Sequence, residues 1–265
     1  VLILLKLGLT SVTFRSKSAE EIVEYCKACG LSAIEWGSDV HVKPGDLKQT
    51  ERVRKITENS GITVCSYGSY YRLGETGIDE FEEYAKTAQA LNAPIIRIWG
   101  GSKSHRDLSK REYKVLIDEV KAICKIAEKY NLTVAFEYHN NSLTDTKDAA
   151  IRAISDAGAE NLGMYYQYDP WISREENYET LKAFLPYLKM IHVFNVDKDI
   201  NRYSLKERNG EEFWKRIIEI LKQSDIDVCM LFEFLRNEAF DELKGETEIM
   251  KNLLTMQEVK SVGNK

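Results

Sequence analysis

The chain has 265 residues, 43% of them apolar, and its 37 basic and 42 acidic side chains leave a net charge of −5. That apolar content supports a sizeable core, and no composition break marks a boundary, so a single domain over 1–265 is expected. The acidic balance argues against nucleic acid as a main partner, because phosphate binding draws on a surplus of Lys and Arg.

The opening VLILLKLGL is interrupted by Lys6, is followed by no small-residue cleavage site and is far too short to span a bilayer. It reads as a first strand, and the chain as a cytoplasmic protein with no membrane partner. Cysteines at 26, 29, 65, 124 and 229 do not suggest a disulfide framework. The pair Cys26 and Cys29 falls at the end of a predicted helix. Redox CxxC pairs need a helix N-terminus to lower the thiol pKa, so this one reads as structural.

The punctuation repeats at roughly 30-residue intervals, about one strand-plus-helix unit. A strand over 7–14 is followed by a helix opened by the capping box of Ser18 and Glu21 and closed by Gly30. A strand over 33–37 precedes a helix capped by Asp46 that runs to Gly61. A third strand over 63–71 leads to a helix over about 79–92, and a fourth over 95–99 to a long helix capped by Ser109 and Glu112. The fifth, LTVAFEYHNN over 132–141, is followed by a helix from Thr144 to Gly158. A sixth over 162–167 precedes the capping box of Ser173 and Glu176. A seventh over 189–196 leads through a polar loop to a helix carrying Phe213, Trp214, Ile217 and Ile220, and an eighth covers 228–235. Strict alternation demands parallel strands joined by helical crossovers, and the first turn, TSVTFRSKS, lacks the GxGxxG of a dinucleotide fold. The fold class is therefore α/β, a single (β/α)8 barrel.

Such barrels place their sites at the C-terminal strand ends. With a period of two, Ala135, Glu137 and His139 share one face of the fifth strand, while Val134, Phe136 and Tyr138 share the other. The sixth strand offers Gln167 and Asp169 on one face, the seventh His192, and the eighth Glu233 in phase with Leu231 and Cys229. Two glutamates, a histidine and an amide or carboxylate form a mixed oxygen and nitrogen set that suits Mn, Co, Fe or Mg rather than a thiolate-rich zinc site.

Over almost its whole length, through GLTSVTF, AIEW, VAFEYHN, MIHVFN and LFEF, the chain resembles the xylose isomerase-like TIM barrels. That superfamily holds sugar isomerases and epimerases, dehydratases and endonuclease IV type enzymes. In its ketose epimerase branch a divalent metal is held by Glu, Asp, His and Glu on strands five to eight. By position these fall on Glu137, a strand-six residue, His192 and Glu233. The strand-six aspartate falls on Gln167, with Asp169 two residues later as the alternative. The resemblance thus implies one divalent metal (Mn, Co, Mg, Fe or Zn), and Glu137 and Glu233 as ligands and proton-transfer groups flanking the reacting carbon.

His139 and Asn140 are placed to reach substrate hydroxyls or to cap the loop, and Trp99, Tyr67, Tyr70, Tyr165 and Trp171 offer aromatic surface of the kind that stacks on sugar rings. Arg202 and Arg208, in the seventh loop, would pair with a substrate phosphate or carboxylate, or simply be solvated. Glu35, if it faces inward, needs a partner, and Arg97 is the candidate, the pair reading as a buried structural link with substrate contact as the alternative. The function expected is a metal-dependent sugar or polyol isomerase or epimerase acting on a sugar or sugar phosphate, with dehydration by the same enolisation a close relative. A sugar-binding or regulatory barrel without catalysis is the alternative that Gln167 admits. An endonuclease IV type phosphodiesterase fits poorly, since its trinuclear zinc needs many histidines and this acidic chain has four. Related barrels often associate through their outer helices, which extends to this chain as an expected homo-oligomer.

Overall fold

The computed structural model describes residues 5–262, with side chains to 255. Val1 to Leu4 of the expected first strand lie outside the described residues. Eight strands alternate with eight helices: β1 (Leu5–Thr10), α1 (Ala19–Cys29), β2 (Ala33–Gly37), α2 (Leu47–Asn59), β3 (Thr63–Arg72), α3 (Ile78–Ala90), β4 (Ile95–Trp99), α4 (Lys110–Glu128), β5 (Thr133–Glu137), α5 (Lys147–Ala157), β6 (Leu162–Gln167), α6 (Arg174–Phe184), β7 (Leu188–Val193), α7 (Gly210–Gln223), β8 (Val228–Phe232) and α8 (Phe240–Val262). The strands are parallel and close in chain order, β8 pairing with β1. This is the (β/α)8 barrel that the alternation requires.

Local sequence explains the helix starts. Ser18 with Glu21, Ser109 with Glu112 and Ser173 with Glu176 all form reciprocal capping boxes, and Gly30 and Gly158 end α1 and α5 in the left-handed conformation. Two boundaries near the barrel mouth differ from expectation. β1 stops at Thr10, because Ser11–Phe14 turns into a short 3-10 helix whose residues are buried at the barrel mouth. The helix after β5 starts at Lys147 under a Thr146 cap. Thr144 instead donates its hydroxyl to the Glu137 carbonyl at 2.7 Å and ties down the loop after β5.

The main core lies between strands and helices, where Leu9, Ile34, Trp36, Val64, Ile96, Phe136 and Ile191 meet α-helical side chains. Tyr67 belongs to this outer layer: it is fully buried, and its hydroxyl donates to the Val42 carbonyl at 2.7 Å. It therefore faces away from the barrel mouth, correcting its expected role in substrate binding. A smaller cluster of Ala33, Cys65, Ala135, Tyr165, Met190 and Leu231 fills the barrel interior. Small residues are needed there. A Cβ on Gly8 would stand 2.5 Å from the Ala33 carbonyl oxygen and 2.8 Å from Leu231 Cδ2, and the first of these is backbone. Gly8→Ala must push β1 from β2, so a loss of about 1–3 kcal/mol is expected in urea unfolding. Unchanged stability would mean the two strands separate freely.

Candidate functional site

Alternation brings polar side chains from β2 and from the consecutive strands β4 to β8 to one interior layer. Glu35 stands on β2, Arg97 on β4, Glu137 at the end of β5, Tyr165 and Gln167 on β6, His192 on β7, and Glu233 directly after β8. The Glu233 amide donates to the Val193 carbonyl at 3.0 Å, which keeps its side chain in register with β7. All these residues are buried.

His192 is the centre of the group. Its Nδ1 lies 3.1 Å from Gln167 Oε1, 3.2 Å from Glu233 Oε2 and 3.5 Å from Glu137 Oε1. Ligand atoms of Glu137, His192 and Glu233 all fall within 4.8 Å of one another. On the far side of the ring, Nε2 is 3.7 Å from Glu35 Oε1. Burial alone would lower the imidazole pKa, but Glu233, Glu137 and Glu35 hold it well above its ordinary range.

Arg97 sets the charges beneath. Its Nη1 is 2.6 Å from Glu137 Oε2, and its Nε 3.8 Å from Glu35 Oε1. The structural link expected between Glu35 and Arg97 is thus present, but the closer partner is Glu137. Glu35 also accepts from Thr10 (3.1 Å), Ser66 (2.9 Å) and Tyr165 (2.8 Å). Tyr165 is committed there and is not a stacking surface. Burial would raise the Glu35 carboxyl, yet Arg97, His192 and Tyr165 bring it down to about 2. Burial is likewise overcome at Glu137, whose carboxyl Arg97 holds below the usual range.

Glu233 differs from Glu137. Its Oε2 is buried and has no hydrogen-bond partner. Such an orphaned oxygen, beside a second carboxylate, an amide oxygen and an imidazole nitrogen, fits a divalent cation. Three buried carboxylates against one arginine and one imidazole leave negative charge for it to neutralise. Gln167, rather than Asp169, stands among the donors. Asp169 instead accepts from the Trp171 amide at 2.9 Å, and burial raises its carboxyl.

A cavity of about 290 Å³ opens above Gln167, between the loops that follow β5, β6, β7 and β8. His139 and Asn140 line it, and the His139 ring packs against Trp99 with centroids 4.5 Å apart. Trp171 lines it with an exposed ring. Tyr70 also lies near Trp99, 6.3 Å between ring centroids. Arg202 is engaged elsewhere: it bonds Glu238 at 2.7 Å and the Leu235 carbonyl at 3.3 Å, with its guanidinium over Phe234. It braces the seventh and eighth loops and does not line the cavity, so it is not placed to meet a substrate anion as expected. Arg208 faces a neighbouring hollow with Arg174 and Lys198. Sequence reasoning missed Asp145, which lines the cavity and is paired with His105 Nδ1. Nothing in periodicity singles out a loop aspartate, and its partner arrives from the loop after β4.

The sequence model of the family described as xylose isomerase-like TIM barrel matches residues 23–257. The chain is 22% identical to the 3-dehydroshikimate dehydratase of Bacillus anthracis over 94% of its own length and 97% of the relative's. Among solved structures it superposes on a D-allulose 3-epimerase from Methylomonas sp. with TM-score 0.76 and 14% identity, covering 96% of this chain and 99% of that one. The IOLI protein with a bound zinc atom gives TM-score 0.77 and 17% identity, covering 95% and 99%. No helix among the described residues is long and apolar enough to cross a membrane.

Proposed function

Since the chain belongs to the xylose isomerase-like TIM barrel family, we propose that it is a divalent-metal-dependent enzyme that abstracts a proton next to a carbonyl of a small polyhydroxylated substrate, with isomerisation or epimerisation as the outcome. The observation that carries this is the convergence of Glu137, Gln167, His192 and Glu233 under a cavity at the C-terminal barrel mouth, with Glu233 Oε2 buried beside the imidazole and accepting no well-formed hydrogen bond. Those four residues would hold the cation, which when bound supplies a Lewis acid that polarises the carbonyl.

The remaining chemistry belongs to the side chains. Glu233 takes the proton: unlike Glu137 it has no arginine or lysine within 4.0 Å among the described residues, only the His192 imidazole at 3.2 Å. Glu137 is kept ionised by Arg97 and serves as a ligand. His139 and Asn140 contact substrate hydroxyls from the β5 side of the cavity. Loss of water from the adjacent carbon requires the same first step, and the near full-length similarity to a 3-dehydroshikimate dehydratase favours dehydration as the second reading.

Elemental analysis with Gln167→Ala and Asp169→Ala tests the centre. Wild type and Asp169→Ala are expected to carry a stoichiometric divalent metal, with affinity in Gln167→Ala lower by at least about tenfold. Absence of metal from wild type after soaking with Mn²⁺ or Co²⁺ would favour a binding barrel and remove the catalytic reading.

A further inference from the structure

The cavity above Gln167 has two unlike walls. Asn140, Asp145 and Asp169 present polar groups from the loops after β5 and β6, whereas Phe194, Val196 and Phe234 present apolar surface from those after β7 and β8. Among the described residues, no lysine or arginine lines it. Arg97 lies 2.6 Å from Glu137 beneath the cavity, and Asp145 is paired with His105. Arg174, Lys198 and Arg208 line a separate hollow behind Tyr168, Pro170 and Val196. Away from the metal-binding floor at Gln167, a phosphate or carboxylate would lose its water, meet Asp145 and Asp169, and find no lysine or arginine among the described lining residues. A polyol has donors for those carboxylates and a C–H face for the phenyl rings.

We propose that this cavity is a charge filter: it admits a polyhydroxy ketone without phosphate or carboxylate, its hydroxyl edge toward Asp145, Asp169 and Asn140 and its C–H face on Phe194 and Phe234, and it turns the anionic counterparts away. This rests on the enolising reading above and narrows its substrate class. It also separates this chain from its dehydratase relative, whose named substrate is a carboxylate. Asp145 and Asp169 are the specificity determinants.

Calorimetric titration of the Mn²⁺-loaded protein tests the filter, with D-fructose, D-allulose and an inosose as neutral probes and D-fructose 6-phosphate and 3-dehydroshikimate as anionic ones. At least one neutral probe is expected to bind about tenfold or more tighter than either anion. Asp145→Asn and Asp169→Asn should each narrow that ratio by weakening the neutral ligand and admitting the anions. Anions that bind wild type as tightly as the neutral probes overturn the proposal, as does binding of no neutral probe at millimolar concentration or a ratio unchanged in both variants. Solvent-deuterium incorporation is read separately. A neutral ligand that binds selectively and never exchanges its α-proton supports the filter and refutes the enolising function, so the two ideas fail independently.

Discussion

Glu233→Gln is expected to lower turnover by about 10²–10⁴-fold, the range that positioned acid–base groups contribute, with the unfolding midpoint close to wild type. Glutamine keeps the size and one oxygen of the side chain but cannot accept a proton from carbon. His192 keeps Glu137 at 3.5 Å and Glu35 at 3.7 Å as counter-charges when residue 233 is neutral, so the fold tolerates loss of the Glu233 charge. Glu137→Gln should behave differently. It removes the negative charge from the 2.6 Å contact with Arg97 and leaves a buried guanidinium short of a counter-charge, so stability falls along with metal affinity. Deuterium incorporation from solvent into a bound ketose, measured beside thermal unfolding, separates the two glutamates. Full proton exchange in Glu233→Gln would assign the base elsewhere.

That asymmetry was not legible in the sequence, although the two residues were. A period of two placed Glu137, Gln167, His192 and Glu233 on inward faces, and the closed barrel brings these strand ends together, because strands adjacent in sequence are also adjacent in space. Alternation fails where backbone departs from regular pairing. Tyr67 lies in the stretch after the register shift between Ile34 and Glu35, and its face follows from that irregularity rather than from its neighbours. Loop residues were the least legible. Arg202 looked available because its partner, Glu238, comes from the next loop, 36 residues away. Asp145 and His105 likewise come from different loops, 40 residues apart. A pairing made between two irregular segments leaves no periodic trace in either. The choice between Gln167 and Asp169 was open for a related reason: β6 ends at Gln167, so the alternation that would have turned Asp169 inward stops two residues short of it.

Arg97→Met should be the most damaging single change to the fold, costing about 3–5 kcal/mol. Arg97 is 2% exposed and is the only arginine or lysine within 4.0 Å of Glu35 or Glu137 among the described residues. Methionine fills part of the space but leaves two carboxylates in the barrel interior without their cation. The loss should also shrink as the pH falls. In wild type the folded Glu35 carboxyl lies at about 2, below the roughly 4.3 of an unfolded glutamate. Its contribution is therefore complete above that unfolded value and disappears as pH falls toward 2. In Arg97→Met, burial is no longer offset and the carboxyls move upward, so acidification lets them become neutral while still folded. The stability gap between the two proteins is accordingly widest at neutral pH and narrows on acidification. Arg97→Lys retains a charge without the reach to both carboxylates and should fall between them. Urea unfolding of all three proteins at pH 7 and pH 4.5, with chelator present, reads the effect directly. A gap of the same size at both pH values would show that Arg97 acts by packing rather than by charge.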